Sequence, residues 1–408
     1  MDVDLDAVDL TDLDRFARGF PHDVFTALRR ESPVWWHEPT EHTPGGEGFW
    51  VVSRHGDVVA AAGDAATYSS HRGGGREGGG TLIEDLPTGF AAGVLLNMTD
   101  GPRHHAIRKV VTPAVSPRAI ARLESDLASR TTAIVDAAVS AGGCDFVVDV
   151  AAELPLQAIA LLMGVPQEDR HRLFEWANVT LDYRDRDLGE DSDAAQHAAT
   201  EMLAYGAALV AAKRRDPGDD ILSAMAGAEV DGEPLDDLTL QMFFSLLIAA
   251  GSETTRNTLA HAVLALAGAH EWELLRRDRS LLPRAVEEML RWASSTAYNR
   301  RTATVDTELG GERIRAGDKV TLWWASANRD EEVFADPFRF DIGREPNKHV
   351  AFGHGPHFCL GANLARLEIR LVFEALLDRV PTVAVAGDVE WMRSNKHIGI
   401  RHLPVAFG

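Results

Sequence analysis

The segment FGHGPHFCLG, residues 352–361, sets Cys359 between a loop of glycines and histidines and a stretch with helical periodicity. The chain has one other cysteine, Cys144. Zinc would draw on Cys359, His354 and His357, yet no paired cysteine or histidine motif lies nearby to complete the ligand set. A nucleophilic thiolate would take His357 as its base, and no oxyanion loop accompanies it. A buried structural cysteine leaves unexplained why Gly353, Gly355 and Gly361 let the backbone approach something flat. A fourth reading is an axial thiolate to haem iron. The helix that begins after Cys359 would aim its N–H groups and dipole at the sulfur, stabilising negative charge there. Phe358 would shield the sulfur from water.

Three further patterns carry chemistry. AGSETT, residues 250–255, puts Gly251, Glu253 and Thr254 in the middle of the longest helical segment. The plain reading has Glu253 exposed and Thr254 bonded back to a carbonyl. The functional reading has Gly251 and the Thr254 hydroxyl opening the helix into a groove for dioxygen, with Glu253 and Thr254 relaying protons. EEMLR places Glu288 and Arg291 three residues apart on one helix face. GPRHHAIRK sets His104 and Arg108 four apart, facing one way, and RRTA offers Arg301. Such bases suit the two propionates of a haem.

These residues need elements to position them. Apolar residues recur at three- and four-residue spacing over Ala119–Ala141, Leu154–Met163, Ala194–Arg214, Leu238–Gly268 and Gly361–Arg379, which predicts helices. GFWVVSR reads as a strand. DTELGGERIRAGDKVTLWW reads as a hairpin around Gly310-Gly311, with a second turn at Ala316-Gly317. Ser69 to Gly93 carries two glycine triplets and reads as a long loop, its Gly73–Gly80 part opening and closing over a pocket. The chain of 408 residues, 45% apolar, is expected to form one domain spanning 1–408, mainly α with a small β region. Two cysteines far apart point to a reducing compartment. A net charge of −21 argues against nucleic acid as a partner. The acidic N-terminus lacks the signal-peptide pattern, and the longest apolar run, Met242–Gly251, is about half of a bilayer span. A cytoplasmic location without membrane attachment is the expectation.

Taken together and in this order, the motifs resemble those of cytochrome P450 enzymes, above all the soluble actinobacterial type. Phe352, Gly353, Gly355, His357, Cys359 and Gly361 match the family's haem-binding signature. AGSETT is similar to its oxygen-binding motif. Glu288 and Arg291 look like its Glu-x-x-Arg pair, joined in the family by the arginine of a PxRF segment that Pro337, Arg339 and Phe340 match. The resemblance implies the cytochrome P450 fold, haem b (iron protoporphyrin IX) held by Cys359 with Ala250 alongside, and O2 as co-substrate. It implies His104, Arg108, Arg301 and His357 as propionate partners, with His349 next in line. Electrons would come from a separate ferredoxin and ferredoxin reductase, docking on a patch of Arg103, Arg108, Lys109, Arg344, Lys348 and Arg366. A monomer is the family's usual state.

By the same resemblance the substrate pocket is lined by the glycine-rich loop as far as Leu95, by Phe244, Leu247 and Ile248, by Thr296, Ala297, Tyr298 and Asn299, and by Lys396 and His397. Ser295 stands where related sequences often carry proline, and Lys396 and His397 where apolar residues are common. The pocket is therefore expected to be polar. That would suit hydroxylation, epoxidation or coupling of an amino-acid- or peptide-derived intermediate of secondary metabolism or antibiotic biosynthesis, free or held on a carrier protein. The alternative is a terpenoid, sterol or macrolide. A peroxygenase would not need the Glu253–Thr254 relay, a haem-based sensor would need an output domain, and a recruitment domain would have lost Cys359.

Overall fold

The computed structural model describes residues 3–408 apart from 74, 90, 182–186, 189, 191 and 231. Its α-helices in chain order are α1 (His22–Glu31), α2 (His55–Gly63), α3 (Gly101–Val111), α4 (Pro117–Ser140), α5 (Glu153–Met163), α6 (Arg170–Leu181), α7 (Asp193–Arg215), α8 (Ile221–Ala226), α9 (Asp237–Leu266), α10 (His270–Arg277), α11 (Leu282–Ala293), α12 (Trp324–Ala327) and α13 (Ala362–Arg379). The five periodic segments are α4, α5, α7, α9 and α13. Side-chain caps set the starts of α4, α7 and α9: Ser116, Ser192 and Asp236 accept from the N–H groups of Ala119, Ala195 and Thr239. Helix α9 is the central rod. Its C-terminal half, from Leu259 to Leu266, packs in the largest apolar cluster, and Leu240, Phe243, Phe244 and Ile248 pack in a second.

The β region is one five-stranded sheet, a three-stranded sheet of Val383–Val385, Pro404–Phe407 and Gly143–Asp145, and smaller hairpins. The spatial order of the five-stranded sheet is Val34–His37, Phe49–Val52, Lys319–Trp323, Tyr298–Ala303 and Tyr68–Ser69. The GFWVVSR strand is Phe49–Val52, and the strand Lys319–Trp323 runs parallel to it and antiparallel to Tyr298–Ala303. The hairpin Thr307–Leu309 with Glu312–Ile314 turns on Gly310 and Gly311, at φ 58° and 88°. Two consecutive positive φ values match the right-handed strand twist, which is why glycines sit there.

The glycine-rich segment is packed rather than loose. Gly78–Gly79 pairs with Leu86–Pro87. A Cβ on Gly79 would fall 1.7 Å from the His71 carbonyl oxygen, so only glycine lets the two backbones pass. Arg76 bridges Glu47 and Asp85, Ile83 is fully buried, and the Thr81 carbonyl accepts from the Arg300 N–H at 3.0 Å. The expected opening and closing of Gly73–Gly80 has no support in these contacts, residue 74 itself lying outside the described part.

Glu288 and Arg291 form a fully buried pair, Nε and Nη2 of Arg291 reaching the two carboxylate oxygens at 2.7 Å each. The third cation is Arg344, whose Nε lies 3.1 Å from Glu288. It is not Arg339, the arginine of the PxRF match, whose side chain is exposed and which contributes only its carbonyl. Arg344 wins because its remaining N–H groups close the 335–344 loop on the carbonyls of Ala335, Asp336 and Arg339.

Two stability measurements follow from this architecture. Breaking a buried ion pair costs ~3 kcal/mol or more, so Arg344→Met should lower the urea-unfolding free energy by about that much. Arg339→Met should stay within ~0.5 kcal/mol, and equal losses would restore Arg339 to the network. The second concerns buried histidines. Burial holds His22 down to about 3 and His261 down to about 4. The unfolded chain, with histidines near ~6.5, binds protons that the folded one refuses. Stability is therefore full above about pH 6.5 and falls toward about pH 4, by up to ~1.4 kcal/mol per pH unit for each histidine. His261→Gln, which keeps a donor for the Ile398 carbonyl, should flatten that slope; an unchanged slope refutes the assignment.

Candidate active site

The Cys359 loop is shaped by its own backbone. The Cys359 N–H donates to the Phe352 carbonyl at 2.8 Å, the Gly353 N–H to Val350 at 2.9 Å, and the Phe358 N–H to Gly355 at 3.0 Å. Gly353 and Gly355 both sit at φ 72°. A Cβ on Gly355 would fall 2.5 Å from the Ala62 carbonyl oxygen of α2, so this glycine serves contact with protein backbone. Around Gly361 there is open space. Cys359 is exposed as a residue, yet protein atoms crowd around its sulfur. That enclosure pushes the thiol up from its ordinary value, opposed by the Gly361 N–H bonded to sulfur and by Arg108 and Arg366. A cation beside the sulfur would complete the stabilisation of a thiolate. Phe358 remains 41% exposed, its ring 6.0 Å from Phe352.

Beside the loop the chain gathers bases from three distant segments. The rings of His104 and His357 lie 4.3 Å apart, and both feel the charge of Arg108. Arg108 donates to the Phe358 carbonyl. Arg301 is 2% exposed, and its one hydrogen bond among the described residues goes to the Arg300 carbonyl at 3.0 Å. Burial lowers Arg301 to about 10 and His104 to about 4. The His104 Nε2 is buried without a partner. Buried cationic and imidazole groups with so few protein anions fit a ligand carrying carboxylates.

One acid does enter the cluster, and sequence reasoning missed it. Asp100 accepts from His357 Nε2 at 3.1 Å, and from the Ser69 hydroxyl and the His71 N–H. Its burial would raise the carboxyl, but these donors outweigh that and hold it down to about 2. Its place before Gly101-Pro102 at the start of α3 was the available signal. His349 is elsewhere engaged, 3.0 Å from Glu287.

On α9, Ala250 is exposed, with Leu247, Gly251 and Thr254 half-buried on the same face. The helix is unbroken here. Thr254 donates its hydroxyl to the Ala250 carbonyl at 2.9 Å, the plain reading of that residue. Gly251 does not open a groove by itself: a Cβ there would meet Ile159 Cδ1 at 2.9 Å, so it lets α5 pack closely. Glu253 is 2% exposed rather than exposed, and points about 100° around the helix from Thr254. It faces Arg256 at 3.5 Å and His397 at 3.6 Å.

The expected pocket residues divide. Leu95 and Leu247 are half-buried beside the α9 strip, as are Thr296 and Asn299 along their own segment. Phe244 and Ile248 belong to the core, Phe244 stacking on Tyr205 at 5.9 Å. Ala297 and Tyr298 are fully buried beneath the N-terminal segment. The polar lining is consumed inside the fold. Lys396 Nζ donates to the carbonyls of Thr81 and Tyr298 and to Asn299 Oδ1, at 3.2, 2.7 and 2.7 Å. Ser295 shares a 2.8 Å hydrogen bond with Thr258, and His397 turns to Glu253. The expected docking patch also shrinks: Arg344 is in the Glu288 network, and Arg366 pairs with Glu287 at 2.7 Å.

A thiol under a helix start and a base cluster short of anions suit a metal cofactor that carries carboxylates. The family model of cytochrome P450 matches residues 271–400. Over 406 residues the chain is 49% identical to cytochrome P450 126 of Mycobacterium tuberculosis, covering 98% of this chain and 97% of that one. It is 40% identical to a steroid C26-monooxygenase of Rhodococcus jostii, over 98% and 84% of the two chains. It is also 40% identical to a methyl-branched lipid omega-hydroxylase of Mycobacterium tuberculosis, over 100% and 95%. A Mycobacterium marinum cytochrome P450 solved in complex with pseudoionone superposes with a TM-score of 0.90, at 38% identity over 98% of each chain. The chain belongs to the cytochrome P450 family. It is a monooxygenase with that family's fold, using haem b and O2.

The loop geometry makes a paired prediction. Gly353→Ala should cost about 1 kcal/mol, the strain of a left-handed non-glycine residue. Gly355→Ala carries the same strain plus a collision with Ala62, and should cost ~3 kcal/mol in a urea melt. Equal losses would mean that α2 yields and the close approach is unimportant.

Proposed function

We propose that Cys359 is the axial thiolate of a haem whose propionates are held by His104, Arg108, Arg301 and His357. The observation that carries this is the meeting of a thiol, bonded by the Gly361 N–H, with buried bases that have few anions of their own. Phe352, Gly353, Gly361 and Ala250 would border the ring. When bound, haem supplies the iron centre at which O2 is reduced and split. The chain's part is electrostatic and protonic. The Gly361 N–H, Arg108 and Arg366 would favour the anionic sulfur that burial alone disfavours, adding to the charge of the iron. Thr254 exchanges its bond to the Ala250 carbonyl for one toward the reacting oxygen, with Gly251 leaving room beside it. Glu253 brings protons from the outer side of α9.

The substrate reading that the site supports best is apolar. Lys396, Ser295 and Tyr298, which would have favoured an amino-acid- or peptide-derived compound, spend their polar groups on the protein itself. What remains accessible is Leu95, Leu247 and Ala250, with Thr254 and Thr296 half-buried as the polar minority. Relatives named for steroids and methyl-branched lipids, and a structural neighbour holding pseudoionone, favour an isoprenoid, steroid or branched aliphatic substrate. Hydroxylation is the default outcome, on a free substrate rather than a carrier-held one. Electrons would come from a ferredoxin and its reductase through the exposed cations Arg103, Lys109 and Lys348. A monomeric, single-domain cytoplasmic enzyme completes the reading; among the described residues no helix is long and apolar enough to cross a membrane.

An optical titration of the ferric protein tests it. Pseudoionone, a steroid and a methyl-branched fatty acid should move the haem band toward high spin by displacing water. Cyclic dipeptides and aromatic amino acids should leave it unmoved. The reverse pattern would return the substrate to the amino-acid-derived class.

A further inference from the structure

Among the described residues most buried carboxylates are tightly held; Glu368 leaves one oxygen without a partner, and Glu253 leaves both. Glu288 receives donors at 2.7 to 3.3 Å from Arg291, Arg344, Asn347 and the Asp341 N–H, and Glu287 is gripped by Arg366 and His349. Glu253 is 2% exposed, yet neither of its oxygens has a hydrogen bond. A buried acid left this way is uncommon, because desolvation is uncompensated. Its two charged neighbours stand just outside bonding range, Arg256 Nη2 at 3.5 Å from Oε1 and His397 Nδ1 at 3.6 Å from Oε2.

The two neighbours are anchored differently. Arg256 is tied outward: Nη1 donates to Asn178 of α6 at 3.1 Å, and its guanidinium lies 5.2 Å from the Phe174 ring. His397 is tied inward by its backbone. Its N–H donates to the Ser394 hydroxyl, it bridges to Thr296, and the flanking Lys396 and Ile398 bond to Ala297 and Ser295. Ser295 in turn bonds Thr258, whose hydroxyl donates to the Thr254 carbonyl. The imidazole thus hangs from the segment that runs along Thr254, while Glu253 also borders a cavity of about 560 Å³ on the outer side of α9.

We infer that His397 is a positioning residue for Glu253, closing from 3.6 Å to a hydrogen bond so that the carboxyl hands protons from the outer cavity toward Thr254. This rests on the reading of Glu253 and Thr254 as the proton relay. In the open arrangement seen here the carboxylate is free to turn toward the cavity. When a substrate presses on the bridged segments that carry Thr296 and His397, Nδ1–H donates to Oε2 and fixes the carboxyl on the inner side. The charged and titratable groups lining the cavity with Glu253 are Arg256 from α9, Asp149, Glu153 from α5, His171 from α6, and Arg401 and His402 from the strand Ile400–His402, with His397 of the C-terminal loop 3.6 Å from its carboxylate. Lys396, though adjacent, turns its ammonium to Thr81, Tyr298 and Asn299.

Two readouts on the haem-loaded enzyme test the inference. The first is the ring titration of His397, followed by NMR with labelled histidine in the diamagnetic ferrous–carbonyl form. Burial lowers this histidine and Glu253 raises it, so Glu253→Gln should move its titration further down, by about half a pH unit or more. The second is kinetic, with the strongest ligand of the titration panel as substrate. His397→Phe should lower kcat roughly tenfold and enlarge the solvent isotope effect while KM holds. His397→Asn, which keeps a donor near the Nδ1 position, should recover most of the loss. A His397 titration indifferent to Glu253→Gln overturns the contact. A change confined to KM overturns the positioning role and makes His397 a substrate contact. If Glu253→Gln itself leaves kcat and the isotope effect unchanged, the relay reading fails, a result separable from the NMR titration.

Discussion

A carboxylate with no access to water organises this molecule. Glu288 is fully buried and satisfied by Arg291 and Arg344, whose other N–H groups reach the carbonyls of Asn328, Pro337, Ala335 and Asp336. Such a network adds little net stability over apolar packing, but it admits one geometry. It fastens α11 to the irregular stretch between α12 and the Cys359 loop, where few regular hydrogen bonds would fix the path. Asn328 extends the same grip, its side chain accepting from the Val350 N–H at 2.7 Å. The loop that presents the sulfur is thus indexed to the core through polar contacts, and its position does not depend on the cofactor alone.

The site itself is built on an electrostatic deficit. Arg301, His104, His357 and Arg108 crowd together with Asp100 as the one acid, and burial disfavours every positive charge among them. The thiol has the opposite problem, since burial disfavours its anion. A ligand with a cationic centre and carboxylate arms relieves both at once. Under the proposed assignment, haem affinity would draw on charges that the bare protein leaves uncompensated.

Much of this was legible in the sequence, and the failures have a common cause. The long helices and the Gly310-Gly311 hairpin follow from period and turn chemistry, which act locally. The Cys359 loop and the four bases stood out because their positions match a family pattern, and the structure brings His104, Arg108, Arg301 and His357 close together. What spacing cannot give is the direction of a side chain across the fold. Arg339 and Arg344 are equally plausible on paper; only the closure of the 335–344 loop selects Arg344. Lys396 and His397 look like pocket polarity until Thr81, Tyr298, Asn299 and Glu253 are brought to them. Gly251 reads as a gap for oxygen, yet the atom nearest its missing side chain belongs to Ile159 on another helix. Asp100 went unseen because its partners, Ser69, His71 and His357, come from segments far away in the chain.

Lys396 also carries a consequence for how members of this family can diverge. Its ammonium holds the glycine-rich segment, the strand Tyr298–Ala303 and the C-terminal loop through three acceptors, two of them main-chain carbonyls. Carbonyls survive any substitution, so point changes in those segments leave the joint intact. Grafting is another matter: a segment transplanted from a relative brings its own backbone path and can leave a buried cation short of an acceptor. Chimeras that exchange these three segments as a set would remove the cation and its acceptors together, whereas exchanging one acceptor segment alone can strand the cation. The unit of inheritance around this pocket is then the trio, and its members are tied to change together.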